Sequence, residues 1–120
     1  MNISNLNILQ IHRGDSMELI PFINCGTEMN WERYSIQEND VIYFALMEVH
    51  QTFEDAILKK VFDFNSEKTE DGDLIIKIKP SDTVDLLSGK YYYTIKMKQA
   101  TEEDSYNVIT LLKETEFWIL

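Results

Sequence analysis

The side chains most suited to chemistry are few and scattered. His12, His50 and the one cysteine, Cys25, lie far apart in a chain of 120 residues. No His-x-x-His or Cys-x-x-Cys spacing occurs, so a zinc site would have to gather its ligands from distant segments. Nothing beside Cys25 marks it as an activated thiolate. The densest set of oxygen ligands is Asp63, Asn65, Glu67, Asp71 and Asp73. An EF-type calcium loop needs a glycine at its sixth position, and counting from Asp63 that position holds Lys68, so a solvated hairpin is expected instead. Arg13-Gly14-Asp15-Ser16 spells the tetrapeptide that some adhesins present to integrins. A tight turn before a strand asks for Gly and Asp on backbone grounds alone. There is no Gly-x-Ser-x-Gly elbow and no phosphate-cradling glycine loop, and Glu102-Glu103-Asp104 reads as a solubilising turn. No catalytic, metal or cofactor residue is assigned, and an enzyme is not expected.

The aromatic side chains offer more. Tyr91-Tyr92-Tyr93 stand in a row, and Trp31, Tyr43, Phe53 and Trp118 lie in segments that can reach a surface. Such residues anchor protein interfaces, because a large rigid ring buries much area at little entropic cost. The alternative is a small carbohydrate-binding module or adhesin, with Trp31, Tyr43 or Tyr92 as stacking faces.

Composition narrows the choice. With 44% hydrophobic and 27% charged residues the chain has the make-up of a globular protein, and its length suits one domain over residues 1–120. A lone cysteine excludes an internal disulfide framework and suits synthesis in a reducing compartment. The opening residues show neither a basic start nor a small-residue cleavage site, so no secretory signal is expected. No apolar run approaches the ~20 residues of a membrane helix, so no membrane association is expected. The net charge of −10 repels phosphate backbones, and nucleic acid is not expected as a partner. Lys77, Lys79, Lys96 and Lys98 recur every second residue, which predicts solvent faces of strands and no basic patch.

The elements follow from a period of two. Leu74, Ile76 and Ile78 share one face with lysines opposite, and Tyr91, Tyr93, Ile95 and Met97 share another. In Val41–Met47 both faces are apolar, which predicts a central strand or one covered by a partner. Further strands are predicted over 17–24, 56–64, 107–113 and 116–120, with a weaker one over 3–11. Asp82–Leu87 predicts one capped helical turn, and Gly26–Gln37, carrying Trp31, a long loop that can lie over Val41–Met47. His50–Glu54 predicts a loop with Phe53 at its tip. Short strands separated by turn signals at this spacing predict an all-β fold, an antiparallel sandwich of about seven to eight strands.

In immunoglobulin-like sandwiches a late strand begins with a tyrosine whose hydroxyl bonds to backbone a few residues upstream, while the second residue after it enters the core. The turn at 82–87, then Ser88-Gly89, then Tyr91-x-Tyr93 reproduces that order. Gly89 supplies a permissive backbone at the bend, Tyr91 the corner and Tyr93 the core residue, leaving Tyr92 outward. The three tyrosines are thereby split between two faces.

Several short motifs accompany the corner: Gly14-Asp15, Asp40-Val41-Ile42-Tyr43-Phe44, Asp71-Gly72-Asp73, Asp82-Thr83 with Leu86, Gly89, Tyr91 and Tyr93, and a terminal Phe117-Trp118-Ile119. Together they resemble the N-terminal immunoglobulin-like domain of upper baseplate proteins of tailed phages. The resemblance implies a structural virion protein, assembled in the bacterial host cytoplasm, that docks onto other virion proteins of capsid, neck or tail or onto copies of itself. Baseplate proteins of this kind continue into further domains, whereas this sequence ends at Leu120. A stand-alone head-fibre, head-decoration or neck component is therefore the expectation.

Overall fold

In the computed structural model, which describes residues 1–27, 29–100 and 106–120, the chain is mostly β. The first half contributes β1 (Asn2–Ile3), β2 (Leu9–Ile11), β3 (Met17–Leu19), β4 (Ile23–Thr27) and β5 (Asn30–Arg33). After these come β6 (Val41–Met47), β7 (Leu58–Phe62) and β8 (Ile76–Ile78). A single helical turn, α1 (Pro80–Thr83), leads to the long strands β9 (Gly89–Ala100) and β10 (Tyr106–Ile119). The large sheet runs β2-β10-β9-β6-β7, and two smaller sheets, β1-β4-β5 and β3-β8, complete the globule.

The core lies between the large sheet and the smaller ones. Ile42, Phe44 and Leu46 of β6 and Tyr93, Ile95 and Met97 of β9 are buried in one cluster with Ile3, Leu19, Ile23, Ile76 and Ile78. Tyr93 sits at its centre, with the rings of Phe44 and Phe117 each 5.9 Å away, the latter edge-on. Each fully buried side chain of this size contributes roughly 1.5–3 kcal/mol. Alternation thus selects the inner residues, as the pattern at 74–78 and 91–97 predicts.

Four features depart from the sequence reading. The predicted strand over 17–24 is two, because Pro21 has no N–H to donate and interrupts the ladder. The Asn5 side chain spans the break, donating to the Ile20 carbonyl at 2.8 Å and accepting the Phe22 N–H at 2.7 Å. Consequently β3 pairs with β8 while β4 pairs with β1 and β5. The weak strand over 3–11 is likewise split, and its second half, β2, runs parallel to β10, so the pairing is not wholly antiparallel. A parallel neighbour needs no tight turn, since the whole chain connects the two strands. Residues 107–113 and 116–120 belong to one strand, whose register shifts around Leu112 absorb the polar interruption as bulges. The buried Thr94 hydroxyl donates to the Leu112 carbonyl at 2.6 Å there. Finally, Gly26–Gln37 is not a cover for β6. Its first part belongs to the β4–β5 hairpin, in which Gly26 adopts a φ of +105° close to the Asn30 carbonyl. Ten strands among the described residues, rather than seven to eight, result from these splits and from β5.

Candidate docking surface

The outer face of the large sheet follows from register. Tyr43 stands opposite Val61 of β7 and Lys96 of β9, and Lys96 stands opposite Thr110 of β10. One row along, Val41 faces Lys98, which faces Val108. On the other side of Tyr43, Ala45 faces Lys59 and Thr94. β6 is therefore apolar outward as well as inward.

The chain covers part of this face itself. Phe53, from the loop after β6, sets its ring edge-on to Tyr43 with centroids 6.0 Å apart. The Lys59 and Lys96 ammonium groups lie 4.3 and 4.7 Å from the Phe53 ring centre, in cation–π range. Phe53 is neither a free tip nor a cap on the core: it folds back over the sheet's outside. The turn that aims it places His50 at a φ of +79°, with Gln51 bonded to Glu48 through both backbone and side chain.

Two clefts flank Phe53. One of about 320 Å³ is lined by Tyr43, Phe53, Glu54, Lys96, Lys98 and Val108. The other, about 550 Å³, reaches from Phe53 and Thr94 to Lys113 and Glu114. Val61 and Val108 remain 58% and 60% exposed beside them. Lys59, which lies outside the alternating lysine pairs of the sequence reading, approaches from β7 to join Lys96 of β9 at the Phe53 ring.

The remaining aromatic candidates lie elsewhere. Trp118 shares the outer face but sits opposite Lys90 and Gln10 at the other end, half-buried. Trp31 is on β5 in a smaller sheet, 45% exposed, next to the exposed Met29. Tyr92, half-buried, faces Met47 and Glu116. Trp31, Tyr43 and Tyr92 therefore do not form one stacking plane.

At the end of the molecule where α1 lies, backbone chemistry accounts for the motifs. Tyr91 donates its hydroxyl to the Leu87 carbonyl at 2.6 Å, and Gly89 takes a φ of +147° as the chain enters β9. Tyr93 donates to the Asn7 carbonyl at 2.6 Å. The Gly14 N–H donates to the Thr83 hydroxyl at 3.0 Å, and the Arg13 guanidinium reaches the Leu86 carbonyl at 3.4 Å. Arg13-Gly14-Asp15-Ser16 is thus a turn pinned to α1. Asp82 does not bond forward as a cap. Its carboxylate accepts the preceding Lys79 N–H and pairs with Lys60, both at 2.7 Å.

Three of the hairpin acids are occupied, Glu67 by Lys77 at 2.7 Å. Asp63 accepts the Asn65 N–H, and Asp73 pairs with Arg33 at 2.8 Å while that guanidinium covers the Phe22 ring. Cys25 is half-buried on β4 opposite Glu32, and His12 is exposed. Glu102-Glu103-Asp104 lies outside the described residues.

One polar cluster escaped the sequence reading. Tyr34 donates its hydroxyl to buried Asp40, which also accepts the Gln37 N–H, and Gln99 donates to the Tyr34 oxygen at 3.2 Å. Burial, and then the Asp40 carboxylate, push the Tyr34 phenol up to about 12. The turn that positions the carboxylate is closed by the Asp40 N–H on the Gln37 carbonyl at 3.0 Å.

Comparison with protein-family models, characterised proteins and solved structures yields no match to the chain.

Proposed function

We propose that the chain is a structural, non-enzymatic component of a tailed-phage virion, an immunoglobulin-like sandwich that docks onto other virion proteins. The observation that carries this reading is the convergence of motifs separated in sequence. Gly14 is hydrogen-bonded to Thr83, Arg13 to Leu86 and Tyr91 to Leu87, while Phe117 pairs with Tyr91 across the sheet. Three of the short motifs behind the phage resemblance thus interlock at one corner, where a shared fold would keep them together. The order β10-β9-β6-β7, with a tyrosine corner opening β9, agrees with the larger sheet of variable-type immunoglobulin domains.

Docking is supported by the outer face of that sheet, where exposed Val61 and Val108 flank Tyr43 and Phe53. Exposed apolar area of this kind marks interaction sites on soluble proteins. The experiment is mass spectrometry and electron microscopy of particles purified from a host that produces the chain. The protein is expected in intact particles at a fixed copy number, and its absence from them overturns the reading.

A further inference from the structure

The charge of the outer face runs against that of the molecule. The chain carries −10, yet the strands place Lys59, Lys90, Lys96, Lys98 and Lys113 on or beside this face against Glu114 and Glu116, the latter paired with Lys90 at 3.7 Å. Lys59 and Lys96 both hold their ammonium groups against the Phe53 ring, and Lys96 lines the 320 Å³ cleft. Glu54 is the one carboxylate among the described residues lining that cleft.

We propose that this face receives an extended acidic segment of a different protein. An apolar side chain enters the cleft between Tyr43, Phe53 and Val108, and flanking carboxylates bind Lys59 and Lys96. The inference deepens the docking reading above and rests on it. Charge decides the occupant. A two-fold axis passing through this cluster would set the lysines against their own equivalents, and like charges so placed repel. A nucleic acid would meet the lysines but be repelled by the net charge of the whole chain. An acidic peptide satisfies the lysines and leaves its apolar residues for the cleft. In an extended strand residues i and i+2 share a face, so an apolar residue with an acidic one two positions away on each side presents all three to the sheet.

The probe is a fluorescent heptapeptide, Ser-Glu-Ser-Leu-Ser-Glu-Ser, titrated into the intact chain at low salt and followed by anisotropy and amide chemical shifts. The same peptide with Lys in place of Glu and a single-stranded oligonucleotide serve as comparators. The acidic peptide is expected to bind and to shift Tyr43, Phe53, Lys96 and Val108, with affinity falling as salt rises. The double variant Lys59→Glu, Lys96→Glu should weaken it roughly tenfold or more. Glu54→Gln, which removes a like charge from the cleft, should strengthen it roughly twofold to fivefold. The proposal is overturned if the shifts fall elsewhere, if no peptide binds, or if either comparator binds this face as tightly. Shift mapping on the unaltered chain stands even if a charge-reversed variant fails to fold. Peptide binding in a chain absent from particles would count against the virion assignment and leave this surface standing.

Discussion

Replacing Tyr93 by phenylalanine removes one oxygen and tests how the N-terminal segment is held. The ring is fully buried and its hydroxyl donates to the Asn7 carbonyl, 86 residues away, at 2.6 Å. A hydrogen bond of this kind contributes about 0.5–1.5 kcal/mol net. Asn7 itself is exposed, so water can reach its carbonyl once the hydroxyl is gone. That keeps the expected loss near 1 kcal/mol, about 4 °C in midpoint for a chain of this size. Tyr93→Ala also removes the ring between Phe44 and Phe117 and should cost about 3–5 kcal/mol, a large share of a typical stability of about 5–15 kcal/mol. Tyr92→Ala, on the outer face, should change stability by less than about 1 kcal/mol. Urea unfolding gives the three values. Amide hydrogen exchange then separates a local tether from a general loss: in Tyr93→Phe, protection should fall first in β1 and β2, on either side of Asn7. Equal protection there in variant and parent refutes the tether. A larger loss in Tyr92→Ala than in Tyr93→Ala would invert the facing of the whole strand.

Alkaline unfolding is expected between about pH 10 and 12. Burial raises the Tyr34 and Tyr93 phenols from 10.0 to about 12, so the unfolded chain loses these protons first. The stability they contribute is complete below pH 10 and lost as pH approaches 12. Tyr34→Phe should flatten that limb in a pH series of urea midpoints. Gly26→Ala should cost more than about 1 kcal/mol and disrupt the β4–β5 hairpin, because the added carbon would lie 2.4 Å from the Asn30 carbonyl oxygen at a φ of +105°. Gly14→Ala, with open space around it, should suffer only the backbone strain, and thermal melts compare the two. Asn5→Ala removes both bonds across the Pro21 break and should cost about 1–2 kcal/mol, read by the same melts.

Legibility followed the length of the alternating runs. In 74–78 and 91–97 the pattern repeats often enough to separate the two faces, and Leu74, Ile76, Ile78, Tyr93 and Met97 are all buried. The first 33 residues offered no such run. Their strands are two to five residues long, too short for a period to show. Their pairing is set by Pro21 and by a side-chain amide that imitates a strand neighbour. Neither leaves a periodic signal. The bulges of β10 were hidden for the opposite reason: an extra residue shifts the alternation, so one strand reads as two.

The candidate surface was legible only as a contradiction. Val41–Met47 is apolar at every position, and a strand at the outside of a two-layer fold should be so on one face only. The resolution lies in residues distant in sequence. Phe53 folds back onto Tyr43, yet the loop that carries it is held mainly by its own turn bonds, Gln51 to Glu48 and Asp55 to Thr52. It shields the centre of the face and leaves Val61 and Val108 open at the flanks. Lysine side chains complete the shield from β7 and β9, and an ammonium over an exposed ring contributes only about 0.5–1 kcal/mol. A cover of that strength can be exchanged for a partner's contacts at small cost. The same residues that keep the apolar strand from water in the free chain are therefore those that an incoming acidic segment would engage.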